Sequence, residues 1–338
     1  MKLNEAQSKA VSHVDGPMMV IAGPGSGKTT VITKRIKYLI ESAGVSPADI
    51  LVITFTRAAA GEMQQRFRAM TPGKEYPVRF GTFHSIFYWI LKTAYGQSML
   101  CVISEEEKRG IIEQILHTME LSYENKEEIV SSIVSQVSLV KCDMMDVENY
   151  YSKDMPEHAF RELYRRLGTE LKRRKLIDFD DMMVLCYELL TARPDILDKC
   201  RSLFPYIMVD EFQDSNDFQM LFISELINTS KFESLMVVGD DAQAIYLFRG
   251  TSPENIINFE EKLGAGLPVE EYLLTENYRS SAEIVDLSNE VLEHNSTKIK
   301  KVLTSARGKS GQLPTFKSFE KSKDEVNYIC DGIENLLK

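Results

Sequence analysis

Short unbroken apolar runs alternate along this chain with longer stretches in which apolar residues recur every three or four positions. The unbroken runs read as strands buried on both faces, and the periodic stretches read as amphipathic helices. Runs at 18–22 (MMVIA), 50–55 (ILVITF), 206–209 (YIMV) and 234–238 (SLMVV) give the clearest strands, with shorter ones in VRFGTFHS (78–85) and EEYLLTENYRSS (270–281). Between them, Leu3, Ala6, Ala10, Val11 and Val14 share one helical face behind Asn4 as N-cap. Val31, Ile32, Ile36, Leu39 and Ile40 form a second stripe that ends near Gly44, and AAAGEMQQRF (58–67) a third helix. Strands alternating with helices predict an α/β fold around a parallel, doubly wound sheet.

The pattern changes near residue 93. From there to about 200 no buried strand is evident, only helical segments with charged faces. This predicts an all-helical domain, 93–199, inserted into a sheet domain made of 1–92 and 200–282. Beyond them, the closing stretch LPTFKSFEKSKDEVNYICDGIENLLK predicts one strand and one helix.

Bulk properties narrow the class. The chain has 338 residues, 43% hydrophobic and 27% charged, with a formal net charge of −10, so any nucleic-acid contact has to be local. Basic residues crowd 161–175; such a run is either a solvated helix face or an electrostatic site for DNA. The five cysteines show no CxxC pair, so neither a disulfide framework nor a zinc site is expected. No apolar run reaches the roughly 18 residues of a membrane span, and no signal-peptide layout opens the chain, so a cytoplasmic protein is expected.

The chemistry centres on Ala22-Gly23-Pro24-Gly25-Ser26-Gly27-Lys28-Thr29-Thr30. A buried strand, a glycine-rich turn and a helix start form a phosphate-binding loop, with Ala22 a small residue where the strict pattern has glycine. Lys28 is placed to meet β- and γ-phosphates, and the Thr29 hydroxyl to meet Mg²⁺. Asp210 and Glu211 end a later strand, as the metal carboxylate and water-polarising acid of a P-loop ATPase do. Gln7 is either a solvated glutamine or a reader of adenine, since an amide both donates and accepts. Gln243, Tyr246, Phe248 and Arg249 follow another strand, and Asn277, Tyr278 and Arg279 yet another, so they line one rim of one sheet.

LNEAQ, AGPGSGKT, ITFTRAAAGEM, GTFHS, LIDFDDM, VDEFQDSN, VVGDDAQAIYLFRG and TENYRSS follow one another in this order. With them the chain resembles the UvrD/Rep/PcrA group of superfamily 1 DNA helicases. The resemblance implies a RecA-like P-loop domain 1A (1–92 and 200–282), a helical insertion 1B (93–199) and the beginning of a second motor domain 2A (283–338). It also implies ATP and Mg²⁺ as cofactors, and single-stranded DNA and single/double-strand junctions as partners of a monomeric 3′→5′ translocase and helicase.

Residue by residue, Gln7 resembles the adenine-reading glutamine and Tyr278 the tyrosine that stacks on adenine. Lys28 and Thr29 match the phosphate and Mg²⁺ groups, and Asp210 and Glu211 the metal carboxylate and catalytic base. Gln243 matches the γ-phosphate sensor, Arg279 the arginine that stabilises the transferring phosphoryl group, and Arg249 the arginine of the third motif. Phe55, Arg57, His84, Tyr246 and Phe248 are expected to face DNA.

Some positions depart from the family wording. TFTNKAA is TFTRAAA, moving the basic residue to Arg57; Thr30 replaces an arginine; and IYRWRG is IYLFRG, which places Leu247 and Phe248 where the family has Arg and Trp. Family chains continue through further motifs, so this sequence is expected to be an N-terminal portion that binds ATP–Mg²⁺ and unwinds little alone. The motor subunit of a recombination helicase–nuclease is the alternative within the fold. A GTPase-like switch is disfavoured because the nearest guanine-reading string, Asn125-Lys126-Glu127-Glu128, lacks the aspartate. A small-molecule kinase is disfavoured by the QD and GDxxQ strings.

Overall fold

The computed structural model describes residues 2–96, 101–119, 121, 125–142, 144–247, 250–263, 266–296 and 298–337. The first part runs α1 (Glu5–Ser12), β1 (Gly16–Ala22), α2 (Lys28–Glu41), β2 (Ile50–Thr54), α3 (Arg57–Met70), β3 (Arg79–Thr82) and α4 (Phe83–Tyr95). A helical excursion follows, with β4 (Cys101–Val102), α5 (Glu105–Thr118), α6 (Lys126–Cys142), α7 (Glu157–Arg174) and β5 (Leu176–Ile177). The chain returns through α8 (Phe179–Ala192), α9 (Pro194–Leu203), β6 (Tyr206–Val209), α10 (Asp217–Ile227) and β7 (Ser234–Gly239). Then come α11 (Glu254–Ile257), α12 (Phe259–Leu263), β8 (Glu270–Leu274), β9 (Glu276–Asn277), α13 (Ala282–Glu293), β10 (Thr304–Ser305) and α14 (Ser322–Leu337).

Six strands form one sheet in the order β3-β2-β6-β7-β1-β8, and every pairing in it is parallel. Alternate residues along each strand enter opposite cores. Met19, Ile21, Leu51, Ile53, Ile207, Val209, Leu235 and Val237 face one cluster. Met18, Val20, Ile50, Val52, Met208, Met236 and Val238 face the other, which α2 covers with Val31, Ile32, Ile36 and Leu39. Burial on both faces explains why these strands lack polar alternation. This is the α/β sheet with helices on both sides that the sequence pattern predicts.

The insertion has its own core, from Ile103 to Leu171, built by α5, α6 and α7. The apolar residues of α8 and α9 (Met182, Met183, Cys186, Leu189, Leu190, Leu197, Cys200) pack instead with the sheet. Helical periodicity marks a buried face without saying what buries it, so 179–199 joins the sheet domain rather than the insertion to which the sequence reading assigned it. The LIDFDDM stretch lies at this junction. Asp178 caps α8 in a capping box with Asp181, and its Oδ2 lies 2.8 Å from both Lys108 of α5 and Lys141 of α6.

The basic run of 161–175 is only partly offset within α7, since its seven Lys and Arg meet two Glu. Arg165 and Arg166 pair with Glu162, and Arg173 and Arg174 with Glu170. Towards the C-terminus, α14 has no buried residue. The strand expected in LPTFKSF does not form: residues 313–319 have no regular secondary structure and pair with no strand among the described residues. No described helix is long and apolar enough to cross a membrane.

Candidate nucleotide and nucleic-acid site

All six strands of the main sheet end on the same rim, and nearly every candidate residue lies there. Ala22 closes β1 fully buried. Gly23, Pro24, Gly25, Ser26 and Gly27 form the turn, tightened by hydrogen bonds from both the backbone N–H and the hydroxyl of Ser26 to the Gly23 carbonyl (3.2 and 2.7 Å). Gly25 has φ +69°, and a Cβ there would lie 2.6 Å from Cβ of Arg279, so the position requires glycine both for conformation and for space. Gly27 gives α2 no side-chain cap. The first-turn N–H groups of Lys28, Thr29 and Thr30 therefore face the loop as an anion seat.

Lys28 Nζ lies 2.6 Å from Glu211 Oε2. Glu211 follows β6 with φ +51°, in the left-handed region that non-glycine residues seldom occupy. The side-chain amide of Gln213 donates to the same Oε2 at 2.9 Å. Asp210, buried beside them, accepts the Glu211 N–H at 3.0 Å. Burial and the neighbouring Glu211 charge push the Asp210 carboxyl up to about 6, and the same two causes push Asp214 up to about 6. Asp214 Oδ1 is buried without a hydrogen-bond partner. The pocket thus holds more negative charge than its own cation offsets.

Gln7 is buried rather than solvated. It shares a capping box with Asn4 at the start of α1, and its amide donates to the Ser26 carbonyl at 2.9 Å. Its side-chain oxygen also accepts the Asn4 N–H at 3.1 Å. The turn carrying Tyr278 and Arg279 closes over the loop from the other side. Asn277 donates to the Pro24 carbonyl at 2.7 Å, and the Tyr278 N–H to the Gly25 carbonyl at 2.9 Å. Asn4 Nδ2 donates to the Tyr278 hydroxyl at 3.2 Å, which itself donates to Glu276 at 2.5 Å. Gln243 lies past β7, its amide 2.7 Å from Asp240 Oδ2.

The remaining candidates form two groups on the rim. Phe55, after β2, stacks on Tyr246, after β7, with ring centroids 5.3 Å apart and 23° between planes. His84, after β3, meets Phe179 edge-on at 5.5 Å. A cavity of about 760 Å³ there is lined by Arg57, Gln64, His84, Tyr88, Ser104 and Phe179. Burial holds the His84 imidazole below its ordinary value; Asp180 opposes it and Arg57 adds a smaller push the same way, so the neutral ring is favoured near pH 7. It offers a face and a hydrogen bond rather than a charge. Phe248 and Arg249 lie outside the described residues.

Sequence reasoning missed two residues that hold this site together, Gln213 and Lys301. The first stands inside a recognisable string, where a polar residue that the fold buries was the available signal. Lys301, which pairs with Asp240 and Asp241, stands in no such string.

A sequence model of the UvrD/REP helicase N-terminal domain matches residues 3–264, and one of the UvrD-like helicase C-terminal domain matches residues 272–338. The ATP-dependent DNA helicase PcrA of Leuconostoc citreum is 34% identical over 343 residues, covering 99% of this chain and 44% of that protein. The PcrA helicase of Staphylococcus epidermidis is 32% identical over 337 residues, covering 98% of this chain and 45% of that protein. That of Staphylococcus aureus is 30% identical over 340 residues with the same coverage, 98% and 45%. The chain therefore spans a little under half the length of these relatives.

Proposed function

The chain belongs to the UvrD/REP helicase family, and from that premise we propose that it binds and hydrolyses ATP between the Gly23–Lys28 loop and the Asn277–Arg279 turn. It grips single-stranded DNA, and the junctions where strands part, on the aromatic rim of the same sheet, and acts in an ATP-dependent 3′→5′ translocase and helicase. The observation that carries this reading is the cluster of Lys28, Glu211, Gln213, Asp240 and Gln243, joined by hydrogen bonds at the mouth of an anion-binding loop.

The residues divide the work. The first-turn N–H groups of α2 and the ammonium of Lys28 bind phosphate oxygens. Lys28 must leave Glu211 to do so, which frees that carboxylate to take the proton of an attacking water. Asp210, Thr29 and the charge excess around them fit a divalent cation. Among the described residues no group of three or more His, Cys, Asp or Glu forms a metal cluster, so its other ligands would be phosphate and water. A Mg²⁺ ion held by Asp210 and Thr29 would supply positive charge against the phosphates. Gln243 meets the terminal phosphate, and Arg279 offsets charge that grows on it. Tyr278 stacks on adenine while Gln7 reads its edge. Phe55, Tyr246 and His84 offer ring surfaces that accept any base, and Arg57 supplies local positive charge in an acidic chain.

Nucleotide and oligo-dT titrations of the chain and of K28A test the reading. The variant should lose ATP binding and keep DNA binding. Preference for GTP, or an unchanged ATP affinity in K28A, would overturn it.

A further inference from the structure

Residues 298–303 follow α13 and bring a lysine against the end of β7. Lys301 Nζ lies 2.8 Å from Asp240 Oδ1 and also pairs with Asp241. The three side chains are only 5%, 1% and 3% exposed, so this is a buried ion triad. The Ile299 N–H donates to Asp241 Oδ2 at 3.0 Å and fixes the same segment a second time.

Asp240 has other duties. It accepts from the Gln243 amide at 2.7 Å and from the Ala242 N–H at 3.1 Å. Its own N–H donates to Gln213 Oε1 at 3.0 Å, and Gln213 reaches Glu211 and hence Lys28. A Cβ on Gly239 would lie 2.6 Å from Gln213 Oε1, so the close approach at this link is built into the sequence. A continuous run of hydrogen bonds thus joins the phosphate loop to Lys301. Burial works to lower the Lys301 ammonium, and the two carboxylates outweigh it and hold the value above the ordinary one.

We propose that Lys301 is a positioning residue for the response to the terminal phosphate. By pairing with Asp240 it holds that carboxylate in place, and Asp240 in turn fixes the Gln243 amide. Without Lys301, a fully buried Asp240 would lose its cation and turn toward another partner. That change removes the acceptor that orients Gln243. By reciprocity, loss of the terminal phosphate loosens the hold on residues 298–303, so the nucleotide state reaches the segment after α13. The inference rests on the nucleotide-site reading above.

Calorimetric titration of the full 338-residue chain with Mg²⁺–ATPγS and with Mg²⁺–ADP separates this role from a merely structural one. Wild type should prefer the triphosphate. K301M should lose about ten-fold or more of that preference, the effect of one charge-assisted hydrogen bond, while its ADP affinity is unchanged. K301R should keep the preference, and the K301M/Q243A double variant should be no worse than Q243A. If K301M fails to fold, K301Q, which still donates one hydrogen bond, is read in the same way. A K301M or K301Q protein that keeps the preference, weakens both nucleotides alike, or adds its loss to that of Q243A overturns the proposal. Wild type that binds neither nucleotide overturns the site reading itself, and the proposal with it.

Discussion

The ammonium of Lys28 and the carboxylate of Glu211 hold each other at 2.6 Å, with side chains 13% and 35% exposed. Each therefore occupies the partner that the other would have to give up once a nucleotide arrives. Truncating Lys28 to alanine removes the positive partner of a partly buried pair, and ATP binding should weaken by about 3 kcal/mol or more. E211Q should behave differently. It keeps the shape of the pocket and relaxes its hold on Lys28, so binding is retained or improved while turnover falls by about 10²–10⁴. Steady-state hydrolysis beside equilibrium binding distinguishes the two; equal losses of binding would show that Glu211 is only structural.

Asp210 makes stability depend on pH. Its carboxyl is raised from 3.8 to about 6 by burial and by Glu211, so the native state holds a proton that the unfolded state has released between those values. Stability from this group is therefore fully present below about pH 4 and is lost as pH rises through 6, worth about 3 kcal/mol for a shift of that size. D210N removes the effect. The variant should be more stable than wild type at pH 7 without nucleotide, and the gap should shrink on acidification to pH 4. Denaturant melts at several pH values give the answer; a gap independent of pH would mean that Asp210 is already compensated.

The main sheet was legible in the sequence because its strands are buried on both faces and so read as unbroken apolar runs. The phosphate loop was legible because its parts are contiguous. Less was legible where a contact joins distant residues. Nothing local to Gln7 shows that Ser26 will bury it, and nothing near Lys301 shows that Asp240 needs a cation. The amphipathic pattern of α8 likewise fixes a face without naming the core it enters. The chain from 313 to 319 shows the converse: a strand-like composition that pairs with no strand among the described residues.

Asp178 ties the insertion to the sheet domain. Its burial alone would raise the carboxyl, but Lys141 and Lys108 outweigh that and hold it well below the ordinary range. D178A would leave two buried ammonium groups with only Asp180 and Asp181, at a cost of about 3–5 kcal/mol. Because the native value is lowered, the contribution is present above about pH 4 and lost only in stronger acid. Urea melts should show the loss, and limited proteolysis should cut the variant faster between α5 and α7. A variant as stable as wild type would mean that apolar packing alone holds the insertion in place.

The stacked pair Phe55 and Tyr246 gives the nucleic-acid reading its sharpest test. Two rings 5.3 Å apart on separate strand ends present adjoining aromatic surface on the rim, with the Arg57 cavity on the same rim. If bases stack there, Y246A should weaken oligo-dT binding by about 1–3 kcal/mol with little dependence on sequence. R57A acts through charge instead, so its deficit should shrink as salt rises, and the slope of log affinity against log salt should fall by about one phosphate contact. Both should leave ATP affinity intact in the absence of DNA, since the two residues lie after β2 and β7, away from the β1–α2 turn that forms the phosphate loop. Fluorescence anisotropy over a salt series reads both effects at once. Unchanged binding by Y246A together with an unchanged salt slope in R57A would place the DNA path elsewhere on the molecule.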